Sequence, residues 1–219
     1  MRLRAARLPA VAAASVLAIA ISGCSEPAFT YIANADRDVV LRVPRDWTPV
    51  STDAVLKADG QDPSRSDFGW LVFYDADAKP STTHLRSESV EHPVLIAQSL
   101  DVGAENRANL TADTLRNLLQ PVTADARATD ELSRASMGLS PRQFRLISDE
   151  TVNTKTERGV HVVFSYQTGS RIEYYDQMAV TDPKRTRAHV VLVHCSQTCF
   201  QANEKQIDDA VDSLTVKST

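Results

Sequence analysis

The chain has 219 residues, of which 42% are hydrophobic, and it carries a formal net charge of −4 at pH 7. This length suits one sizeable domain with its own hydrophobic core. An acidic balance without a basic face argues against nucleic acid as a partner and against an electrostatic grip on anionic lipids. With seven glycines and no G-x-S-x-G motif, the sequence also predicts no glycine-rich phosphate loop, no serine-hydrolase elbow and no cofactor.

The N-terminal segment has the layout of an export signal. Arg2, Arg4 and Arg7 supply a positive start, and residues 8–21 form an apolar run interrupted only by a proline and a serine. Because a helix needs about 20 apolar residues to cross the hydrocarbon layer, this run is too short for a comfortable membrane span. We therefore predict that residues 1–23 are a signal peptide.

At the end of that run, Ile21-Ser22-Gly23-Cys24 resembles the lipobox of bacterial lipoproteins. The resemblance implies cleavage after Gly23, a thioether-linked diacylglycerol on Cys24 with acyl chains such as palmitate, and residence on the extracytoplasmic face of the cell membrane. Two acyl chains hold a protein on a bilayer far longer than one. Residues 24–30 are then a short tether and residues 31–219 a single domain. The excess of arginine over lysine favours a high-GC source such as an actinobacterium.

The hydrophobic spacing predicts strands and helices along the whole of that domain. In chain order they are strands at 38–43, 70–74 and 94–102, helices at 111–120 and 124–137, strands at 144–156, 160–168, 172–181 and 188–195, a helix at 200–214 and a short strand at 215–217.

Two patterns lead to the predicted fold. Val160, Val162, Phe164 and Tyr166 alternate along one side of a strand, which is typical of a sheet with a buried face. The run 190–193 is apolar on both sides, so we expect that strand to be central and covered by helices. The prediction is an α+β fold in which helices sandwich a central antiparallel β-sheet meander.

One β-prone run ends at Pro44 and is followed, three residues on, by Trp47, which resembles the opening of PsbP-like domains. The long hairpins, the pair Cys195 and Cys199, the amphipathic helix and the terminal strand are similar to the ending of actinobacterial PsbP-like lipoproteins. The resemblance covers most of residues 31–217. It implies an antiparallel sheet between helices and a non-catalytic binding or assembly module, and no site residue is carried over from it.

Cysteine usage leaves one pair to interpret. With Cys24 lipidated, Cys195 and Cys199 are free to pair in an oxidising compartment, where a disulfide would pin a strand end to the helix that follows. Two alternatives stay open: the thiols bind copper(I), which soft thiolates favour, or they cycle as a redox pair. The disulfide is the favoured interpretation, because three intervening residues depart from the usual C-x-x-C redox spacing.

Other polar residues do not define a site by themselves. His189 and His194 are an odd number of residues apart, so on a regular strand they face opposite sides and cannot share a metal ion. Neighbouring carboxylates are interpreted as solvated charges: Asp75 and Asp77, Asp149 and Glu150, Asp208 and Asp209.

Two further features bear on ligand binding. Trp47 and Trp70 are interpreted as core or rim packing rather than as the walls of a pocket. Binding specificity is expected in two long polar loops, 59–67 and 75–92, because loops on a rigid sheet commonly carry it.

Together these features predict a membrane-anchored, non-enzymatic ligand-binding or assembly module of the cell envelope. Its partner is expected to be the membrane, through the diacylglyceryl anchor, and an envelope lipid, a glycan or a membrane protein. The competing hypotheses are an envelope hydrolase, and copper or thiol handling at Cys195 and Cys199. A concave pocket with a histidine and a carboxylate in hydrogen-bond reach would favour the hydrolase.

Overall fold

A computed structural model of the protein describes residues 28–88 and 90–217. Within these ranges the chain forms ten β-strands and four α-helices. The predicted signal peptide, residues 1–23, and the predicted lipidation site, Cys24, lie outside the described residues. In chain order the elements are β1 (Phe29–Asn34), β2 (Val39–Pro44), β3 (Thr48–Val50), α1 (Thr52–Ala58), β4 (Trp70–Asp75), β5 (Val94–Asp101), α2 (Ala112–Arg116), α3 (Ala124–Ser136), β6 (Gln143–Asn153), β7 (Arg158–Thr168), β8 (Arg171–Thr181), β9 (Arg187–Ser196), α4 (Gln197–Val211) and β10 (Thr215–Val216).

The strands form two antiparallel sheets. The larger sheet has the order β3-β4-β5-β9-β8-β7-β6, and the smaller one has the order β1-β2-β10. Successive hairpins join β6 to β9, whereas β5 pairs with β9 across a long intervening stretch of chain. The meander therefore occupies one half of the large sheet, and β9 lies at its centre.

Side chains of β9 alternate between two hydrophobic clusters, one on each face of the large sheet. Val191 and Val193 join the cluster that includes α4 and the small sheet, and Val190 and Leu192 join the cluster that includes α2. All four are at most 1% exposed. Burying one such side chain contributes about 1.5–3 kcal/mol, so this strand adds much to the stability of the core. The prediction of a central strand covered by helices is confirmed.

Helix α4 covers one face of the large sheet. Ser196 caps its start by accepting a hydrogen bond from the backbone N–H of Cys199, and Ile207, Ala210 and Val211 are fully buried. The three- and four-residue spacing that predicted this helix is confirmed. No helix in the described ranges is long and apolar enough to cross a bilayer.

Three elements were not predicted from the sequence: β1, the three-residue strand β3 and helix α1. Strand β1 has no fully buried side chain, with Tyr31 69% exposed, and it is held by its pairing with β2. Helix α1 has seven residues and buries only Val55 and Leu56, which is too little for a helical period to be recognised. The helix predicted at 111–120 is shorter than expected, because after α2 the side chain of Asn117 caps the following loop instead.

Candidate functional site

Cys195 and Cys199 form a disulfide with an S–S distance of 2.13 Å and Cα atoms 5.9 Å apart. It joins the end of β9 to the first turn of α4. Both residues are at most 5% exposed. The predicted disulfide is present, and the two thiols that copper(I) binding would need are bonded to each other.

In the described chain, four of the five histidines contact a carboxylate. A ring nitrogen approaches a carboxylate oxygen at 2.7 Å for His84–Asp75, 3.3 Å for His92–Asp77, 2.6 Å for His161–Asp176 and 2.7 Å for His194–Glu173. Three of these carboxylates are almost completely buried: Asp75, Asp176 and Glu173. Because a buried charge is costly without a partner, these histidines first of all stabilise the fold.

The interpretation of Asp75 as a solvated charge is wrong. Asp75 is fully buried, and its carboxylate accepts hydrogen bonds from the backbone N–H groups of Asp77 and Ser81. The third contact is with Nδ1 of His84. Three polar contacts therefore fix the chain that follows β4, which the sequence presents only as a polar loop.

His161 and Asp176 lie next to the C-terminal end of α4. His161 Nε2 is 2.6 Å from Asp176 Oδ1, and its Nδ1 is 3.5 Å from Asp212 Oδ1. The hydrogen bond to Asp176 raises the pKa of His161, while burial raises the pKa of Asp176. The folded state therefore binds protons at this pair more readily than the unfolded chain does.

His194 and Glu173 form a closed pair on the opposite face of the sheet. Their side chains are 6% and 3% exposed, and His194 Nδ1 is 2.7 Å from Glu173 Oε1. Burial raises the pKa of Glu173, and the contact with His194 opposes that rise. The ring of His194 also stacks on Tyr175, with ring centroids 5.3 Å apart.

A cavity of about 310 Å³ lies where several strand ends and turns converge. Four parts of the chain line it: the β1–β2 connection (Arg37, Asp38), the β6–β7 turn (Lys155, Thr156), the β8–β9 turn with the start of β9 (Asp182, Pro183, Lys184, Thr186, Arg187, His189) and the end of β10 with the residue after it (Val216, Lys217). The backbone N–H of Lys217 donates to the carbonyl of Asp38 at 2.7 Å, so the C-terminal strand is fixed against the β1–β2 connection.

His189 is the exception among the histidines. It is 1% exposed and lines the cavity, and neither ring nitrogen has a hydrogen-bond partner among the described residues. Burial lowers the pKa of His189 to about 4; Arg187 and Arg37 contribute to the decrease, and Asp182 and Asp38 oppose it. The ring is therefore neutral near pH 7, with one N–H donor and one nitrogen acceptor.

Basic side chains surround His189. Arg37 donates through Nη2 to Asp101 at 2.9 Å, while its Nη1 is buried without a hydrogen-bond partner in the described chain. Lys155, Lys184 and Lys217 are exposed at the rim of the cavity, and none of them forms an ion pair with a described residue. The cavity thus has an unused cationic donor near its base and three cations around its opening.

The two acidic lining residues are already engaged by protein donors. Asp182 accepts hydrogen bonds from the backbone N–H groups of Lys184, Thr186 and Arg187, and from the Thr186 hydroxyl. Burial pushes the pKa of Asp182 up, but these hydrogen bonds outweigh it and leave the pKa below its ordinary value. Asp38 accepts from Arg187 Nη1 at 3.4 Å. The charge left unpaired in the cavity is therefore positive.

The cavity does not bring together the groups that a hydrolase needs. None of the four histidine–carboxylate pairs lines it, and His189 has no carboxylate partner in the described chain. The hydroxyl of Thr186, in the cavity wall, donates to Asp182 rather than to a histidine. Without a base oriented by a third group, no nucleophile is activated there. Within residues 28–88 and 90–217, no group of three or more His, Cys, Asp or Glu is placed to hold a metal ion.

The sequence pattern did not predict this cavity. Of the residues singled out as candidates, only His189 lines it, and the loops 59–67 and 75–92 contribute nothing to its wall. His189 and His194 do face opposite sides of the sheet, as predicted, since their neighbours along β9 alternate between the two clusters. Trp47 is buried and Trp70 is packed against the same cluster, in agreement with their interpretation as packing residues.

Comparison with known proteins supports the fold. No protein-family model and no curated protein matches the chain. Among solved structures it is similar to cyanobacterial PsbP (CyanoP) from Synechocystis, with a TM-score of 0.52, 11% identity, and coverage of 89% of this chain and 96% of that one. It is also similar to LpqN, involved in cell envelope biogenesis of Mycobacterium tuberculosis (TM-score 0.46, 13% identity, 87% and 91% coverage), and to the Saccharomyces cerevisiae Ran-binding protein Mog1p (TM-score 0.43, 7% identity, 86% and 95% coverage). The likeness to CyanoP shows that the chain has the predicted PsbP-like α+β fold.

Proposed function

We propose that this protein is a lipid-anchored, extracytoplasmic module of a bacterial cell envelope that binds a small molecule without converting it. The cavity beside His189 carries the binding part of the proposal. The anchoring part rests on the sequence, where an export signal leads into Ile21-Ser22-Gly23-Cys24. The PsbP-like fold is compatible with both parts, and an actinobacterial source rests on composition alone.

Binding is favoured over turnover by the kind of groups in the cavity wall. They supply hydrogen-bond donors and positive charge, and the acidic groups among them already accept hydrogen bonds from the protein. The hydrolase alternative requires a histidine and a carboxylate to meet in a pocket, and the pairs that do meet lie elsewhere. The copper alternative requires Cys195 and Cys199 to be reduced first.

Strand β1 leads from the first described residues towards the cavity wall. This strand begins at Phe29, five residues after Cys24, and ends at Asn34, close to the cavity wall at Arg37. Five steps along a strand span about 17 Å. In this proposal a short tether holds the domain near the bilayer.

The anchor is tested by replacing Cys24. In a bacterial host that processes lipoproteins, the wild-type chain is expected to incorporate labelled palmitate and to partition into the detergent phase. Cys24→Ala is expected to lose both properties, because the thioether can no longer form. The control is the double variant Cys195→Ser/Cys199→Ser, which removes the disulfide and should keep the label. A Cys24→Ala protein that still carried palmitate would contradict the proposal.

A further inference from the structure

We infer that the cavity takes a small organic anion, whose phosphate or carboxylate group contacts Arg37 and the N–H of His189 and which carries a hydroxyl group far enough from that charge to reach the other ring nitrogen. The inference rests on the proposed function, because it names the class of molecule that the module binds.

Arg37 supplies the first contact. One arm of its guanidinium is fixed by Asp101 at 2.9 Å, and the other, Nη1, is buried and has no partner among the described residues. Buried polar groups in folded proteins nearly always have a hydrogen-bond partner, and this nitrogen belongs to a residue of the cavity wall, so an acceptor on a bound molecule would complete its hydrogen bonding. Carboxylate and phosphate oxygens are the acceptors that guanidinium groups bind best.

His189 narrows the class of anion. A neutral imidazole offers one N–H donor and one acceptor nitrogen, and here both are unpartnered in the described chain. A carboxylate or phosphate oxygen satisfies the N–H but cannot donate to the second nitrogen. A hydroxyl group can. The two nitrogens point to opposite sides of the ring, so the anion satisfies both only if its hydroxyl lies several bonds from the charge, as the terminal hydroxyl of glycerol 3-phosphate does. An anion without a donor satisfies only one.

Charge around the opening favours the same class. Lys155, Lys184 and Lys217 stand at the rim, although the whole chain has a net charge of −4. The acidic residues that face His189, Asp38 and Asp182, accept hydrogen bonds from the protein itself. A local cationic opening attracts anions and loses that attraction as salt increases. The volume of about 310 Å³ is at the small end of the range for small-molecule sites.

The test is a calorimetric titration of the full, lipidated chain in detergent with three probes. Glycerol 3-phosphate has the charge and the hydroxyls, inorganic phosphate has the charge, and glycerol has the hydroxyls. We expect glycerol 3-phosphate to bind more tightly than phosphate, and glycerol to give no signal. Glycerate in place of glycerol 3-phosphate distinguishes a carboxylate site from a phosphate site. In ¹⁵N spectra of the histidine rings, the signals of His189 should shift and those of His194 should not.

Three variants locate the site. His189→Leu should weaken binding of glycerol 3-phosphate by at least about tenfold, since it removes both ring contacts. Lys184→Gln is expected to weaken it by only about threefold, and mainly at low salt, because the lysine acts through charge at the rim. Lys57→Gln, which changes an exposed lysine on α1 outside the cavity, is the control and should bind like the wild type.

The outcomes separate this inference from the proposed function. Failure of both anions to bind, or equal binding by the wild type and His189→Leu, would overturn the anion site. Equal affinity for phosphate and glycerol 3-phosphate would overturn the hydroxyl contact. Release of phosphate from glycerol 3-phosphate would leave the site assigned and overturn the non-enzymatic function. Palmitate retained on Cys24→Ala would overturn the anchor and leave the anion site standing.

Discussion

Each end of β9 buries a histidine, and the two histidines differ in their hydrogen-bond partners. At the C-terminal end, called the closed end below, His194 lies 2.7 Å from Glu173, and the next residue, Cys195, is bonded to Cys199. At the N-terminal end, called the open end below, His189 is at least as buried, yet neither ring nitrogen has a partner in the described chain. The difference is therefore not burial but whether the fold supplies the hydrogen-bond partners.

The comparison separates a structural histidine from a candidate ligand-binding one. A buried polar group left without a partner costs about 1–3 kcal/mol of stability. A buried histidine that serves only the fold is therefore expected to have a hydrogen-bond partner. His194 at the C-terminal end of β9 follows that rule, although the second oxygen of its partner, Glu173 Oε2, is buried without a partner in the described chain. The open end departs from it at the wall of a cavity with unpaired positive charge, and such departures are expected at functional sites.

Breaking the closed end should have the largest effect. His194→Ala leaves the buried Glu173 carboxyl group without its hydrogen-bond partner and removes the ring that stacks on Tyr175; removing one member of a buried pair costs up to about 3–5 kcal/mol where the carboxylate stays ionised. We expect the free energy of unfolding, measured by denaturant titration at pH 7, to fall by about that amount. Glu173→Gln removes the buried charge while keeping a group of the same shape, so it should cost less.

The matched control is His92→Ala. His92 is 53% exposed and approaches Asp77 at 3.3 Å, and exposed pairs of this kind contribute about 0–1 kcal/mol. If the two histidine-to-alanine variants lost the same free energy of unfolding, burial of the Glu173 pair would not be what makes it important.

Acid should lower the free energy of unfolding through His189. The pKa of His189 is about 4 in the folded protein, against an ordinary value of 6.5. Between these two pH values the unfolded chain binds a proton that the folded chain does not, so the free energy of unfolding falls as the pH drops from 6.5 to 4. At 1.36 kcal/mol for each pKa unit, the loss approaches about 3 kcal/mol near pH 4.

His189→Leu isolates this contribution. Carboxylates such as Asp182 titrate in both proteins, so they cancel when the two stability curves are subtracted. The leucine variant should lose less stability on acidification than the wild type. Curves that run parallel from pH 6.5 to pH 4 would show that His189 does not carry the acid sensitivity.

Removing the disulfide should lower the stability of the protein moderately and leave binding at the other end of β9 unchanged. A loop of this size contributes about 2 kcal/mol on the chain-entropy model, so Cys195→Ser/Cys199→Ser should lower the free energy of unfolding by about that amount. Titration with glycerol 3-phosphate should be unchanged, because the cavity lies at the other end of β9. Weakened binding in this variant would mean that the two ends are coupled.

The sequence predicts the framework of this molecule better than its cavity. The alternation from Val160 to Tyr166 and the doubly apolar run 190–193 report burial directly, because each strand face points into one hydrophobic cluster. Strand β1 has no such signal, because what holds it is backbone pairing with β2 rather than a buried side-chain pattern.

The cavity could not be read from any local stretch. Its lining runs from Arg37 to Lys217 and is brought together by turns that are far apart in the sequence. Binding was expected in the long polar loops, but the buried carboxylate of Asp75 accepts hydrogen bonds from the backbone of one of them and so fixes its conformation. What distinguishes His189 from the other histidines is the absence of a partner in the described chain, and the sequence does not reveal partners.

The smallest expected effect has the opposite pH dependence. The pKa of His161 is raised by its hydrogen bond to Asp176, so the stability that this pair contributes is complete below the ordinary pKa of 6.5. It is lost as the pH rises through the raised pKa. His161 is 21% exposed and Asp212 beside it is 59% exposed, so solvent screens part of the interaction.

His161→Gln/Asp176→Asn replaces both titrating groups with neutral ones of similar shape. Denaturant titrations from pH 6.5 to 9 should show a decline in wild-type stability that the double variant lacks, while its loss of stability below pH 6.5 remains, since His189 is unchanged. A wild-type decline that survived in the double variant would assign it to another group. Acid and base would then act on two separate histidines of one sheet: acid on the ring without a partner, and base on a ring that has one.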